Sequence, residues 1–470
     1  MPCTATGEDD SKWWHPYKRV RRNESVRPRG SGVRETATRS GACETDTVAD
    51  PSAPRRHPVP VNRSGDRWVA AGGIGIAICF LLGAMATLLL PVEVRHGAWL
   101  PLHLALAGGA TSAIAGVMPF FSAALAAAPP SDGRLRWLAL GAVALGALGV
   151  AGGVSTAMSG LAVSGGATYI VGIVLTAMAT VRPLRGALGV SRGIVAEAYV
   201  VALGEVAVGV TLATLFLAGW PPVADSWASF KPAHAWLNLV GFVSLVIATT
   251  LLHFFPTVVG ARIASRRSVQ VTVGGLAAGA PLVALGYAVA LDPLARVGAL
   301  STLAGAAGLA AYTGRVWPTR GRWTTDLDWH RFAMVGLLSA VVWFEVGIAI
   351  LAGRVLVFGA APAAWSLEAV VGPLVAGWVG LAILASATHL LPAVGPGNLA
   401  SHRRQRALLG QAAVVRLVAL DLGVAALSFG MPLGAPLLIA SGGILAASAL
   451  IVTVALLIRA VWLGARARTG

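Results

Sequence analysis

The chain is short of charge, of lysine and of cysteine. Only 12% of its 470 residues are Asp, Glu, Lys or Arg, against roughly a quarter in a soluble domain, and the mean hydropathy is +0.73. A soluble enzyme is excluded on that ground. Three cysteines, Cys3, Cys43 and Cys79, are too few and too scattered for a disulfide framework or a thiolate metal site. Lysine occurs only at 12, 18 and 231, so the 36 bases that outweigh 20 acids are nearly all arginine. A formal charge of +16 would suit nucleic acid, but arginines spread over short loops of an apolar chain mark membrane orientation instead. No nucleic-acid partner is expected; the lipid bilayer is.

What the sequence does have is apolar length. After a Pro-, Ser-, Thr- and Arg-rich stretch with 12 bases and 9 acids over residues 1–66, which reads as a disordered basic cytoplasmic tail, the first apolar run begins near Trp68. That is beyond the first ~15 to 30 residues where a secretory leader sits. Runs of about 20 residues, the length that crosses a bilayer as a helix, then recur twelve times. They fall near 68–90, 100–127, 137–156, 163–182, 194–219, 234–259, 269–291, 295–313, 332–352, 367–391, 408–430 and 434–458. Their continuous apolarity excludes a β-barrel, whose strands alternate.

Arginines alternate with the runs. Loops after even-numbered runs and the C-terminal end carry 18 of them, and the opposite loops carry four bases, Arg95, Lys231, Arg296 and Arg354. By the positive-inside rule both termini are cytoplasmic in a bacterial inner membrane. The expected organisation is a membrane domain over 67–463 and a short cytoplasmic tail over 464–470.

The second, sixth and tenth runs align without gaps. Residues 102–125, LHLALAGGATSAIAGVMPFFSAAL, lie 135 before 237–260, LNLVGFVSLVIATTLLHFFPTVVG, which lie 136 before 373–396, PLVAGWVGLAILASATHLLPAVGP. The last two share a glycine (241, 377), a histidine (253, 389) and a proline (256, 392), with Met118 opposite the histidines. The period spans four helices and predicts an all-α, polytopic, twelve-helix protein in a 4+4+4, pseudo-threefold arrangement, with repeats over about 67–190, 191–330 and 331–463. A transporter of two six-helix halves is the competing architecture.

Ionisable groups inside membrane helices are functional candidates by default. His103 and His234 fall in the outer parts of the second and sixth runs; with His96, Asn238 and Glu368 they offer nitrogen and oxygen donors for a transition metal or haem iron. His253 is 19 residues beyond His234, hence about 28 Å deeper, at the level of His389. This inner pair reads either as a second cofactor site or as groups satisfying carbonyls freed by Pro256 and Pro392. Glu197 and Glu205, eight apart on the fifth run, and Glu345 on the ninth are candidate proton carriers or packing elements. Arg416 and Asp421 lie within the eleventh run, and Arg416 is expected to pair with Asp421 or with a glutamate of a neighbouring helix. No catalytic residue is identifiable.

The stretch from His234 to Ile263, HAWLNLVGFVSLVIATTLLHFFPTVVGARI, resembles a membrane-protein family of actinobacteria related to the haem-copper oxidase large subunit, and is similar to the NnrS haem-copper proteins. His234, Leu237, Asn238, Leu239, Pro256 and Thr257 match, and Trp236 stands where a second His is usual. The segment around His103 resembles the oxidase second helix, whose outer histidine binds low-spin haem. The resemblance implies an oxidase-like scaffold with haem or copper at its outer face through His103 and His234, His253 and His389 being weaker candidates, and a redox or membrane partner protein. It does not imply an oxygen reductase: the seventh run holds no histidine, the outer tenth run has none near Leu374, and His389 is at the opposite end. The alternative function is a small-solute or metal-ion transporter using Glu197, Glu205 and Glu345. A further alternative is a non-catalytic membrane partner or sensor acting through the tail.

Overall fold

The computed structural model describes residues 64–185, 193–263, 265–322 and 329–467, and these form helices without a strand. Most of the expected tail lies outside the described residues; Ser64 to Asp66 already belong to the first helix, Ser64–Thr87.

Among the described residues, twelve helices are long and apolar enough to cross a membrane. Helices 1 to 4 are Trp68–Thr87, Trp99–Leu125, Gly133–Ser155 and Ser159–Arg185; helices 5 to 8 are Ile194–Leu217, Trp227–Val259, Arg266–Ala288 and Asp292–Thr319. Helices 9 to 12 are His330–Phe358, Pro362–Ala393, Ala413–Leu433 and Pro436–Arg466. A helix closes nearly all its backbone hydrogen bonds internally, as a lipid surrounding demands, proline being the exception. A further helix, Leu399–Gly410, joins helices 10 and 11 where the sequence pattern shows a basic loop. Asn398 caps it, its side chain accepting from Ser401 N at 3.0 Å while Asn398 N donates to Ser401 Oγ at 2.8 Å.

The helices pack in three groups of four, each built alike: the first against the second, the second against the third and fourth, the third and fourth as a tight hairpin. Glycines set the hairpins. A Cβ at Gly149 would lie 2.9 Å from Gly165 Cα, one at Gly275 2.6 Å from Gly305 Cα, and one at Gly423 2.9 Å from the Gly442 carbonyl. Bare backbones meet here, the contact small residues permit in membranes. Just past the end of helix 9, Gly359 turns at φ +63, and Asp292 at the start of helix 8 accepts from the amide of Ala360 at 2.8 Å where a Gly359 side chain would stand.

The second helix of each group is composite. Helix 2 is π-helical over Leu104–Ala110, helix 6 over Trp236–Ser244 and helix 10 over Val371–Gly380, and each continues as α-helix. These three helices face one another around an apolar cavity of about 100 Å³. Its lining repeats in register: Ala113, Ile114, Val117, Met118 and Phe121 each stand 133 residues before Val246, Ile247, Thr250, Leu251 and Phe254. These in turn stand 136 before Ala382, Ile383, Ser386, Ala387 and Leu390. The second and third repeats therefore keep the offset of the gapless alignment, whereas the first is displaced by two residues, which removes Met118 from the position opposite His253.

Candidate functional site

The two histidines expected at the arginine-poor end stand there, each held by its own helix surroundings. Trp99 opens helix 2, and His103 follows one turn later, so the two side chains share a face. Their rings stack with centroids 4.1 Å apart, and His103 Nδ1 lies 2.9 Å from the Trp99 carbonyl. A carbonyl only accepts, so Nδ1 carries the hydrogen and the neutral ring keeps Nε2 as its free lone pair.

His234 is fixed in the same sense by a neighbouring helix. Its Nδ1 donates to the Gly209 carbonyl of helix 5 at 2.8 Å. Asn238, one turn on, sits with its amide nitrogen 3.1 Å from that Nδ1 and 2.6 Å from the His234 carbonyl. Since Nδ1 is already a donor, the Asn238 amide gives its hydrogen to the carbonyl. Trp227 lies 6.0 Å from the His234 ring and stacks on Phe216 at 4.2 Å. Both imidazoles are half-buried.

The other outer candidates are not gathered with them. His96 is exposed in the preceding loop, at φ +49, its ring edge-on to Trp99 at 6.3 Å. Glu368 is exposed and accepts from Ser366 Oγ at 3.0 Å. Among the described residues no group of three or more His, Cys, Asp or Glu is placed to hold a metal ion.

Towards the arginine-rich end, His389 meets Phe254 at 5.5 Å and His330 at 6.4 Å between ring centroids, with Arg406 near enough to act on it electrostatically. His253 is half-buried with a buried Nδ1 that has no hydrogen-bond partner among the described residues. The expectation that His253 serves a carbonyl freed by proline is corrected: Pro256 frees the carbonyl of Leu252, four residues back, and Tyr312 of helix 8 donates its hydroxyl to it. No signal in the sequence linked positions 60 residues apart.

Of the acidic candidates, Glu197 is exposed in the first turn of helix 5 and Glu345 is half-buried, its Oε1 without a partner among the described residues. Glu205 is buried, 7% exposed, with its carboxyl over Gly241 in the π segment of helix 6. The Arg416 and Asp421 pair is also corrected. Arg416 donates to the carbonyls of Leu409 at 2.5 Å and Gln411 at 3.1 Å and to Thr453 Oγ1 at 3.2 Å, its guanidinium 4.4 Å from the Phe332 ring. Asp421 accepts from Ser339 Oγ at 2.5 Å and Trp343 Nε1 at 2.9 Å. Five residues along a helix place the two on different faces, and each finds partners on its own.

Sequence reasoning missed the Gly209 carbonyl, Trp99 and Trp227. Trp99 was findable, four residues before His103; Gly209 was not, because a carbonyl has no sequence signature.

No protein-family model matches this chain, and no curated protein sequence does. Among solved structures it is similar to a cryo-EM structure of a heme-copper terminal oxidase dimer, with a TM-score of 0.63 over 84% of each chain at 14% sequence identity. This is an all-helical, twelve-span chain with the fold of a haem-copper terminal oxidase.

Proposed function

We propose that this multi-pass membrane protein binds haem iron or a copper ion between His103 and His234 at its arginine-poor face, with both termini cytoplasmic in a bacterial inner membrane. One observation carries the reading: both imidazoles give Nδ1–H to a backbone carbonyl and keep Nε2 free. A second bond that fixes tautomer and ring orientation is the usual support of a metal-binding histidine. The donor set fits a group needing one or two protein ligands, as haem iron does, better than a metal ion needing three or four, since no third donor is gathered.

His103 and His234 would hold the group, and bound haem or copper would supply one-electron chemistry, drawing on a redox partner. The protein's part is orientation: Trp99 packs flat on one imidazole, and Gly209 and Asn238 fix the other. The histidines absent from helix 7 and the outer part of helix 10 argue against a complete oxygen reductase. His253 and His389 are weaker candidates, His389 lying against Phe254 and near His330. The transporter alternative called for two halves of six helices; three groups of four favour the oxidase-like reading.

The test is a reduced-minus-oxidised optical spectrum with metal analysis of the purified protein and of His103→Ala and His234→Ala. Haem bands or near-stoichiometric copper that fall away in either variant support the reading. A pure, folded protein with neither, after expression with haem and copper supplied, ends it.

A further inference from the structure

One packing detail occurs in all three groups. A residue of the first helix fills the space over a glycine in the π segment of the second, so that a Cβ on the glycine would meet it. Phe80 lies over Gly108, Trp343 over Gly377, and Glu205 over Gly241. Two of the notches hold a ring and the third a carboxyl group. The shape of the repeat therefore does not call for a carboxylate at 205.

Nor do its surroundings neutralise one. Glu205 is 7% exposed, and neither carboxyl oxygen has a hydrogen-bond partner among the described residues. Helix 7 presents Ala280 to the notch, its Tyr287 lying two turns outward and Arg266 and Arg267 at the far end. On helix 4, Tyr169 is engaged by Thr111 and the Ala107 carbonyl. On helix 5 itself, Tyr199 is bonded to Thr250 and Glu197 is exposed. On helix 6, His253 lies three turns inward, and outward come Asn238 and then His234. Gly209, one turn outward of Glu205, touches both: a Cβ there would lie 2.5 Å from the Asn238 amide nitrogen, and its carbonyl takes the His234 hydrogen. An ionised carboxylate in this place would be a buried charge with no counter-ion and no donor, a costly state.

We propose that Glu205 is a proton-binding site, a neutral carboxylic acid two turns inward of His234 where helix 5 crosses helix 6, which exchanges its proton towards the arginine-poor end past Asn238 and His234. One proton adds to one carboxylate oxygen and leaves by the same route; no other bond changes and no electron moves. The inference does not require haem or metal, so it stands or falls separately from the reading above.

The experiment is infrared spectroscopy of the full chain in lipid nanodiscs at neutral pH, in water and in deuterium oxide. The expected result is a carboxylic-acid carbonyl band that shifts on deuteration and is lost in Glu205→Gln. Glu205→Leu is the second variant, since the equivalent notch accepts Phe80. A spectrum in this region identical between wild type and a folded variant overturns the proposal. Asn238→Leu is expected to keep the band but slow its deuteration; an unchanged rate overturns the route past Asn238. Persistence of the band in His103→Ala, whatever happens to haem or copper there, keeps the two conclusions distinguishable.

Discussion

Trp378 donates its indole hydrogen to Ser244 Oγ at 3.0 Å, tying the π segment of helix 10 to the last residue of that of helix 6. Both residues are fully buried. Ser244→Ala strands the indole N–H, and an unmet buried donor costs about 1–3 kcal/mol. A lowered midpoint of thermal unfolding in detergent is expected, and Trp378→Phe combined with Ser244→Ala is expected to be less damaging than Ser244→Ala alone.

Tyr312 and Pro256 form a second test, because the hydroxyl replaces a donor that proline lacks. Tyr312→Phe leaves the Leu252 carbonyl unmet and is expected to destabilise by about 1–2 kcal/mol. In a Pro256→Ala background, where the helix supplies its own N–H, the same change is expected to cost less. Equal losses in both backgrounds would refute the compensation.

Arg416 uses three nitrogens in a fixed fork and lies against the Phe332 ring. Arg416→Lys keeps the charge but loses the fork, so a loss of about 1–3 kcal/mol is expected. Asp421→Asn is expected to be milder, since it can still accept from Ser339 and Trp343. If the two variants are coupled in a double-mutant cycle as a direct ion pair would be, the separate assignment of their partners is wrong.

Steric contact across the notches gives a prediction with a built-in control. Gly108→Ala pushes a methyl group into the Phe80 ring, and overpacking of this kind costs about 1–3 kcal/mol. Phe80→Ala in the same chain is expected to return part of that loss. Unfolding midpoints of the two single variants and the double variant decide it.

Twelve spans and their grouping by four were legible because each rests on a repeated signal, apolar length in one case and the offset between residues 237–260 and 373–396 in the other. The positions of His103 and His234 near the arginine-poor ends of helices 2 and 6 were legible as depth along a helix. Their anchors were only partly so, since Gly209 acts through its carbonyl. The π segments left no pattern that differs from α-helix over seven to ten apolar residues, and the displaced first repeat follows from that, as a gapless alignment cannot register a local change of winding. Span ends also moved. Helix 6 begins at Trp227 rather than near 234, and helix 12 runs to Arg466 rather than 458, because helices continue past the apolar layer into water. Arg416 and Asp421 misled because opposite charges near in sequence invite pairing that helical geometry forbids.

The glycine notches bear on how such a chain can change. One socket recurs three times, filled twice by a ring, Phe80 or Trp343, and once by the carboxyl group of Glu205. The same helix crossing therefore accepts side chains of quite different chemistry, so a substitution at this position can change what lies between two helices while the glycine beneath still lets their backbones approach.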